Sequence, residues 1–507
     1  MASRTFPDSV ALVVAEAAPK AFWRALSWAQ QQARVVELRL DALGSVAAIV
    51  AFLERLSWRP RESRTTLIAT CRSRGEGGGF GGSPAAQLAV LALAARAGCE
   101  WVDIEAACLQ ALPLGLRKAV LPRARVIVSH HDFRHSIPPR RLQRLFQRMS
   151  RLGGDLVKIA VTARRQSDNA ALLGLARRAR RRLIAVSMGE AGIPGRVLAL
   201  RAGSPLTYAA PDEGPAVAPG QLRWSELREV YRAHRLGSRT RVYGVIGRPI
   251  AHSVSPAMHN AAFRAAGLDA VYLPFEVADL RDFLGSLGAL GVAGFSVTIP
   301  HKQAVLRHLD GVDPLAEMIG AVNTVVVRGG GKLYGYNTDY VGVLRTLQRY
   351  VRLEGSRVLL VGAGGAARAV AFALATAGAF ISVTSRRPAA ARALAKEVGG
   401  EAVARRALRR RRFEAIIHCT PVGQAPATTQ TPLEARELNA AVLFDLVYNP
   451  METALLRAAR RRGLRVIPGW QMLVEQGAAQ FEIWTGLRAP LEVMRAAVLE
   501  KLRQAKR

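Results

Sequence analysis

Lys158 is the residue of this sequence whose type and position point most directly to chemistry. It lies in the apolar run 156–161, where a charged amine is costly unless it has a partner or a task. A lysine amine that has lost its proton forms a Schiff base with a ketone, and the iminium then acts as an electron sink. The alternative is a structural lysine whose stem is buried and whose ammonium reaches solvent at the strand end.

Polar residues also end other apolar runs in the first half of the chain. A histidine such as His131 can take the proton next to an iminium carbon, and arginines hold carboxylates in bidentate contacts. The set predicts proton abstraction beside a carbonyl, followed by loss of a β-hydroxyl group. These polar residues are Glu37, Arg39, Asp41, Arg72, Asp103, Glu105, Ser129, His130, His131, Asp132 and Arg196, with Glu76 in the glycine-rich loop 75–82.

Eight short β-rich runs alternate with helical patterns over roughly the first 235 residues. This alternation predicts an α/β fold, a (β/α)8 TIM barrel. Such barrels place their chemistry at the carboxyl ends of the strands, which is where the polar residues fall. The runs are 11–15, 35–41, 66–72, 101–106, 125–133, 156–161, 183–188 and 206–210.

This half of the chain resembles type I 3-dehydroquinate dehydratase in segments 37–39, 126–133, 154–160, 187–189 and 218–221, across about residues 8–235. The resemblance implies that Lys158 is the Schiff-base lysine and His131 the proton-transfer residue. The substrate-binding set that it implies is Glu37, Arg39, Arg72, Arg196 and Gln221, with Glu76 and Asp103 supporting the site.

Two positions depart from that family's pattern. His130 stands where a small polar residue is usual, whereas His131 matches the family histidine. Val217 stands where the family often has serine, just before the Ala-Pro-Gly-Gln segment 218–221. The resemblance therefore implies one substrate hydrogen bond fewer at Val217, while Gln221 is retained.

The second half begins after a short connector. Residues 211–241 are rich in Pro, Gly and charge around one predicted helix, 225–235. Predicted strands 242–247, 270–277 and 294–300, separated by helices, indicate a further α/β domain.

A glycine-rich loop at 362–368 joins the predicted strand 358–361 to a helix ending near Ala377, and another strand follows at 380–385. This arrangement is typical of dinucleotide binding, because a pyrophosphate accepts backbone N–H bonds at the helix N-terminus. No acidic residue ends the second strand, and its arginines favour a 2′-phosphate, so NADP is predicted over NAD unless they only follow the chain's arginine-rich composition. The cofactor-binding residues predicted from the loop and strand end are Gly362, Ala363, Gly364, Gly365, Ala366, Ser385, Arg386 and Arg387.

Hydroxyl, amide and Lys/Asp side chains upstream suit a small polyhydroxylated acid, and about residues 241–500 resemble shikimate dehydrogenase. The resemblance implies that Lys302 and Asp339 manage the proton at the C3 oxygen during hydride transfer. Ser253 and Ser255 would bind the carboxylate. The remaining implied contacts are Thr298, Asn323, Tyr448 and Gln476 to the ring hydroxyls or carboxylate, and Leu446 and Gly469 to the nicotinamide.

One departure concerns the cofactor strand, where the family commonly has Asn-Arg-Thr and this chain has Ser385-Arg386-Arg387. The first arginine is kept, which supports NADP. The predicted domains are the TIM barrel at 1–235, a linker at 236–241, a substrate-binding α/β domain at 242–340, a Rossmann NADP-binding domain at 341–468, and C-terminal helices returning to the substrate domain at 469–507.

The charge distribution, the apolar runs and the cysteine spacing argue against nucleic-acid, membrane and metal partners. The net charge is +34, but the arginines are spread through alanine-rich segments and are not interleaved with aromatic residues, so no nucleic-acid partner is predicted. No apolar run approaches the length of a membrane span, and the N-terminus lacks a secretory pattern. The four cysteines have no CxxC spacing, which fits a reducing compartment with no disulfide framework and no zinc site. We therefore predict a cytoplasmic protein without a metal, and without a prosthetic group because a protein lysine would form the Schiff base.

The leading hypothesis is a fused enzyme that dehydrates 3-dehydroquinate to 3-dehydroshikimate and then reduces this product to shikimate with NADPH. A second hypothesis gives the dehydrogenase half a preference for quinate and NAD. A third makes the chain a basic nucleic-acid-binding protein on a degenerate enzyme scaffold.

Overall fold

The computed structural model describes residues 5–58, 65–113, 124–214, 217–251 and 253–504. The chain divides into two compact units, Met1–Arg241 with Leu273–Gly291 and Val242–Tyr272 with Val292–Arg507.

A nearly closed parallel barrel of eight strands forms the first unit. The first seven strands pair in chain order and the eighth pairs with the first, so the seventh and eighth strands are the two ends of the sheet. The strands are β1 (Val10–Val14), β2 (Val35–Arg39), β3 (Thr66–Thr70), β4 (Trp101–Glu105), β5 (Arg125–Asp132), β6 (Leu156–Thr162), β7 (Leu183–Met188) and β8 (Thr207–Ala209). The helices described between them are α1 (Pro19–Gln32), α2 (Val46–Ser57), α3 (Pro84–Arg96), α4 (Ala106–Gln110), α5 (Pro139–Ser150), α6 (Gln166–Arg178) and α7 (Ile193–Arg201).

Because side chains alternate in direction along each strand, polar and charged side chains inside the barrel lie above a layer of apolar ones. Every second residue of a strand points to the same face, and Trp101, Ile127 and Leu156 belong to one buried cluster. Two residues further along their strands come Asp103, Ser129 and Lys158. The register pairs Ser129 with Lys158, and both donate hydrogen bonds to Asp103, so the three polar side chains meet above the apolar cluster.

The predicted helix 225–235 is wrong. The structure has a π-helical turn at Glu226–Val230 and a short 3-10 turn at Ala233–Arg235. Arg232 lies between them in the left-handed region, with φ +47°, and this conformation interrupts a continuous α-helix. Predicted strand ends differ by smaller amounts, as at β2, which ends at Arg39 rather than Asp41 because a 3-10 turn, Leu40–Leu43, follows it.

A mixed six-stranded sheet follows the barrel, in the spatial order β10-β9-β11-β13-β14-β12. Its strands are β9 (Arg241–Gly247), β10 (Ala270–Glu276), β11 (Val292–Val297), β12 (Gly311–Val312), β13 (Thr324–Val327) and β14 (Leu333–Tyr336). The accompanying helices are α8 (Ser255–Ala265), α9 (Leu280–Leu290), α10 (Pro314–Ile319) and α11 (Thr338–Leu347).

A parallel six-stranded sheet has the order β17-β16-β15-β18-β19-β20, the doubly wound arrangement of a Rossmann fold. Val358 and Leu360 of its first strand face one buried cluster, and Leu359 and Val361 face another, so both sides of the sheet are covered. The strands are β15 (Arg357–Val361), β16 (Phe380–Thr384), β17 (Glu401–Ala402), β18 (Phe413–His418), β19 (Ala440–Asp445) and β20 (Arg465–Pro468), with α12 (Gly365–Thr376), α13 (Pro388–Glu397) and α14 (Ala454–Arg461).

Two C-terminal helices, α15 (Trp470–Thr485) and α16 (Leu491–Gln504), return to the mixed sheet. Phe481 and Trp484 of α15 and Met494 of α16 are buried in one cluster with Tyr243 and Met258. The return places side chains of α15 beside the carboxyl end of β11.

Candidate active sites

Lys158 is buried and ion-paired inside the barrel. Only 6% of its side chain is exposed, and its Nζ lies 2.9 Å from Oδ2 of Asp103 and 3.4 Å from Oε1 of Glu37. The same Nζ lies 4.0 Å from the centre of the Tyr208 ring. An ammonium that reaches solvent, the structural alternative, is therefore wrong.

Arg72 completes a buried charge network with the carboxylate of Asp103. Its Nη2 donates to Oδ1 of Asp103 at 2.7 Å and its Nη1 to Ser129 Oγ at 2.8 Å. Burial opposes the charge on Asp103, but Arg72 and Lys158 outweigh it and hold the pKa of that carboxyl well below its usual range. Asp103 therefore stays ionised between two cations.

His131 is fixed by Glu76, which lies in the short turn Arg74–Glu76 after β3. Glu76 Oε2 accepts the backbone N–H of His131 at 3.0 Å and lies 2.9 Å from its Nδ1. Burial raises the pKa of Glu76 to about 8 against the opposing charge of Arg72. Burial and the charges of Arg72 and Lys158 hold the pKa of His131 well below its usual range. The imidazole is therefore neutral, and its Nε2 is the ring nitrogen left for chemistry.

Two arginines of the cavity differ in how they are paired. Arg39 makes a bidentate contact with Asp41, at 3.0 and 2.8 Å. Arg196, on α7, is buried and donates through Nη2 to Pro219 O at 3.0 Å, but its Nε has no hydrogen-bond partner in the described chain. Burial lowers the pKa of Arg196 to about 10, so the group stays charged. Within the described ranges it has no ion pair with a carboxylate, which leaves a buried charge uncompensated.

Gln221 is held in place by a tight turn. Gly220 has φ +67°, and a Cβ there would lie 2.3 Å from the carbonyl oxygen of Gly189 at the end of β7. Only glycine fits at position 220 without displacing the backbone at Gly189. Gln221 Oε1 accepts the backbone N–H of Val217 at 3.0 Å.

One open cavity, with an empty volume of about 500 Å³ that includes adjoining solvent, is lined by most of the residues predicted for the barrel site. Asp103 lies just below it, in contact with Lys158. Tyr208 also lines the cavity but is not among the residues predicted from the sequence, because a tyrosine in a strand is ordinarily a core residue. The predicted residues that line the cavity are Glu37, Arg39, Arg72, Glu76, His131, Lys158, Arg196 and Gln221.

In the second unit, Lys302 and Asp339 form an ion pair. Lys302 Nζ lies 2.5 Å from Asp339 Oδ2, and Asn323 Nδ2 donates to Asp339 Oδ1 at 2.9 Å and to Gln476 Oε1 at 3.4 Å. Asn337 caps α11 through the backbone N–H of Asp339 and so fixes the start of that helix. Four predicted residues from four separate segments therefore meet.

A hydrogen-bonded network extends from this pair into the core. Gln480, one helical turn after Gln476 on α15, donates to Thr324 Oγ1 at 3.1 Å, and Thr324 donates to Asn323 Oδ1 at 2.8 Å. Gln480 Oε1 accepts Ser296 Oγ–H at 2.9 Å and lies 3.3 Å from His259 Nε2. None of these residues except Asn323 is predicted from the sequence, since their partners lie up to 221 residues away.

The other predicted substrate residues lie on separate segments of the chain. Ser253 and Ser255 are half-buried at the start of α8, where Ser255 N–H donates to Ser253 Oγ at 3.3 Å. Thr298 is half-buried and directly follows β11. Burial raises the pKa of Tyr448, so its hydroxyl stays protonated and can donate.

The predicted cofactor loop lies where the strand order of the Rossmann sheet reverses, between β15 and β18. Gly362 has φ +126°, and a Cβ there would lie 3.0 Å from Thr420 Cγ2. Gly364 and Gly365, at the start of α12, have open space around them, and no side chain caps the helix. Free backbone N–H groups at such a helix start suit a phosphate. The loop, Gly362 to Ala366, therefore fits a dinucleotide.

Ser385, Arg386 and Arg387 follow β16, the strand beside the loop. Both arginines are exposed, and Ser385 Oγ accepts the backbone N–H of Arg387 at 3.2 Å. Leu446 and Gly469 directly follow the paired residues Asp445 and Pro468 of β19 and β20. All predicted cofactor residues thus lie at the carboxyl edge of this sheet.

A buried histidine not predicted from the sequence lies at the same edge. His418 Nδ1 is 2.8 Å from Asp445 Oδ1, and its Nε2 is 2.5 Å from Thr420 Oγ1. Thr453 donates to the other Asp445 oxygen at 2.5 Å. The sequence signal is a histidine that directly follows the apolar run 415–417. The contacts fix Thr420 beside Gly362.

Within the described ranges, no group of three or more His, Cys, Asp or Glu side chains is arranged to hold a metal ion. None of the described helices combines the length and apolar character that crossing a bilayer requires.

Four family models match the chain in succession. They are described as type I 3-dehydroquinase (residues 11–238), shikimate dehydrogenase substrate binding domain (245–325), shikimate / quinate 5-dehydrogenase (345–447) and shikimate 5′-dehydrogenase C-terminal domain (469–499).

Curated relatives match either the whole chain or its second half. A chloroplastic bifunctional 3-dehydroquinate dehydratase/shikimate dehydrogenase of Arabidopsis thaliana is 35% identical over 480 residues, which cover 91% of this chain and 79% of that protein. A shikimate dehydrogenase (NADP(+)) of Symbiobacterium thermophilum is 46% identical over 52% of this chain and 95% of that protein. The corresponding enzyme of Methanothermobacter thermautotrophicus is 45% identical over 51% and 96%.

Proposed function

The chain belongs to the family of bifunctional 3-dehydroquinate dehydratase/shikimate dehydrogenases, and from this premise we propose how its residues carry out the two reactions. The barrel converts 3-dehydroquinate to 3-dehydroshikimate through a Schiff base, and the second unit reduces that product to shikimate with NADPH. The proposed domains are the barrel at 1–235, the linker at 236–241, the substrate-binding domain at 242–340, the Rossmann domain at 341–468 and the returning helices at 469–507.

Lys158 is the nucleophile of the dehydratase. After its ammonium loses a proton, the amine attacks the ketone carbon, and the carbonyl oxygen leaves as water to give an iminium. The buried carboxylates of Asp103 and Glu37, at 2.9 and 3.4 Å, support a cationic nitrogen at this place both before attack and in the iminium.

His131 moves the proton. Its Nε2 takes a proton from the carbon beside the iminium, and the electron pair forms an enamine. The enamine expels the β-hydroxyl group, which leaves as water with the proton held by His131. Hydrolysis of the remaining iminium releases 3-dehydroshikimate and restores Lys158. Glu76, at 2.9 Å from Nδ1, orients the ring.

Arg196 is the proposed partner of the substrate carboxylate. Its guanidinium is buried and its Nε lacks a hydrogen-bond partner among the described residues, whereas Arg39 is already held by Asp41. A substrate carboxylate beside Arg196 satisfies that donor and neutralises the charge. Gln221 and Glu37 are the proposed contacts to ring hydroxyls.

Lys302 and Asp339 act on the ketone oxygen in the second unit. Lys302 donates a proton to that oxygen as the carbon is reduced, and Asp339, with Asn323, holds its Nζ in position. Ser253 and Ser255 bind the carboxylate, and Thr298, Asn323, Tyr448 and Gln476 bind the ring hydroxyls.

NADPH, when bound, supplies the hydride. The open glycine loop before α12 would hold its pyrophosphate, and the exposed Arg386 and Arg387 would hold its 2′-phosphate. Leu446 and Gly469 would border the nicotinamide. The two relatives that are described as NADP(+)-dependent shikimate dehydrogenases support NADPH over NADH as the cofactor.

The observation that carries the dehydratase proposal is Lys158 buried between two carboxylates in the same cavity as His131. Borohydride reduction in the presence of 3-dehydroquinate, followed by peptide mass mapping, should place a stable adduct on Lys158. Lys158→Ala should abolish the adduct, and Lys20→Ala, a change at an exposed lysine, should leave it. An adduct at any other residue contradicts the proposal.

Steady-state kinetics tests the second reaction. With shikimate and quinate, each paired with NADP and NAD, the shikimate and NADP pair should have the highest kcat/KM. A higher value for quinate with NAD contradicts the proposal and favours the alternative in which this half serves quinate breakdown.

A further inference from the structure

One buried hydroxyl of the barrel cavity has no part in the steps above. Tyr208, on β8, is 5% exposed, and its OH has no hydrogen-bond partner within the described part of the chain. Leaving a buried hydroxyl without a partner costs free energy. Such a group in the wall of a substrate cavity is explained if the ligand supplies the partner.

The ring of Tyr208 makes a cation–π contact with Lys158, in which the hydroxyl takes no part. Its face lies 4.0 Å from Lys158 Nζ, and an aromatic face attracts a cation by its quadrupole. A phenylalanine makes this contact equally well. The hydroxyl group itself is therefore what needs an explanation.

A neighbouring position lacks a hydroxyl. Val217 lines the same cavity as Tyr208 and Gln221, and its backbone N–H donates to Gln221 Oε1. Its side chain offers apolar contact only, whereas Tyr208 and Gln221, among the described lining residues, offer a hydroxyl and an amide to an oxygen-rich ligand.

We propose that the Tyr208 hydroxyl donates a hydrogen bond to an oxygen of the bound polyhydroxylated ring acid, in place of a hydroxyl at position 217. The inference rests on the proposed dehydratase function and adds a substrate-binding residue to it. Burial, together with the charges of Glu37 and Asp103, raises the pKa of Tyr208 well above its usual value, so the phenol stays protonated and can donate.

Tyr208→Phe in the full chain, assayed without NADPH, tests the proposal because it removes only the hydroxyl. The KM for 3-dehydroquinate should rise about tenfold, with a much smaller change in kcat. Tyr231→Phe, which removes a buried phenol of the same unit outside the cavity, should leave both constants unchanged. Wild-type KM in Tyr208→Phe overturns the proposal.

A second substitution separates loss of the hydrogen bond from general damage. Val217→Ser added to Tyr208→Phe should recover most of the lost affinity, because it returns a hydroxyl to the same side of the cavity. A double variant no better than Tyr208→Phe contradicts the proposed exchange of hydroxyl donors.

Inhibition by the product, 3-dehydroshikimate, shows which substrate oxygen the Tyr208 hydroxyl contacts. 3-Dehydroshikimate lacks the hydroxyl that leaves, so if Tyr208 binds that group, Tyr208→Phe weakens 3-dehydroquinate and leaves product inhibition unchanged. If both compounds weaken equally, the contact is to an oxygen that both retain. Borohydride labelling of Lys158 distinguishes failure of the Tyr208 role from failure of the Schiff-base mechanism. Normal labelling with an unchanged KM in Tyr208→Phe contradicts only the role of Tyr208. Absent labelling in the wild type contradicts the Schiff-base mechanism.

Discussion

Lys158 Nζ lies 2.9 Å from Oδ2 of Asp103, whose other oxygen accepts a hydrogen bond from Arg72 at 2.7 Å. One fully buried carboxylate thus separates two cations that would otherwise face each other.

Asp103→Asn should destabilise the folded chain by about 3 kcal/mol, because it leaves two buried cations with less compensating charge. Urea denaturation at neutral pH measures this loss. Asp212→Asn, at an exposed aspartate, is the control and should change the free energy of unfolding by less than about 1 kcal/mol.

The free energy of unfolding of Asp103→Asn should fall less at acid pH than that of the wild type. The pKa of Asp103 in the folded chain lies well below its usual value, through Arg72 and Lys158 and despite burial. Its stabilising contribution is therefore complete above the unfolded pKa of about 4 and declines as the pH falls below it. The stability gap between wild type and Asp103→Asn should narrow from about pH 4 downward. A gap that is constant with pH contradicts this assignment.

Dehydratase activity should rise with pH through the pKa of Glu76. Burial raises that pKa to about 8, and only the ionised carboxylate accepts the Nδ1 proton of His131 and makes Nε2 a better base. The expected kcat/KM therefore increases as the pH approaches and passes 8.

Glu76→Gln should remove this limb of the pH profile and lower kcat about 10- to 100-fold. Glu54→Gln, at an exposed position on α2, should keep the wild-type profile. An unchanged limb in Glu76→Gln assigns the titration to another group.

Lys302→Ala should reduce dehydrogenase kcat by a factor of about 10² or more, since it removes the proton donor, while NADPH still binds. Fluorescence titration with NADPH and steady-state rates measure the two effects separately. Lys332→Ala, at an exposed lysine, is the matched control. Unchanged turnover in Lys302→Ala refutes its proposed role.

The double variant Arg386→Ala/Arg387→Ala should raise the KM for NADPH about tenfold or more and leave the KM for NADH nearly unchanged, because only the former carries a 2′-phosphate. Arg406→Ala, at an exposed arginine in the 3-10 turn Arg405–Arg410 after β17, controls for general loss of positive charge. Equal losses with both cofactors contradict 2′-phosphate recognition.

The barrel could be predicted because its strands are short buried runs separated by helical patterns, and the predicted runs match the strands to within about two residues. The break in the helix predicted at 225–235 could not be predicted, because it depends on the left-handed backbone at Arg232. Residue type alone does not indicate that conformation for an arginine.

The candidate sites divide in a similar way. Lys158 and His131 stand out by type in apolar strands, and the roles proposed for them come from the family resemblance. The partners of Gln480 and His418 depend on tertiary packing, since Thr324 lies 156 residues from Gln480 and Asp445 lies 27 residues from His418. That the Tyr208 hydroxyl has no hydrogen-bond partner within the described ranges is recognisable only once its surroundings are known.

The return of α15 to the mixed sheet has a consequence for the order of events on the ribosome. Gln476 and Gln480, which bond to Asn323 and Thr324, are translated more than a hundred residues after Lys302 and Asp339. Every barrel residue assigned above is made before residue 241. A growing chain can therefore acquire a complete dehydratase cavity while its dehydrogenase centre still lacks one wall, and a stalled or prematurely stopped chain would make product that it cannot reduce.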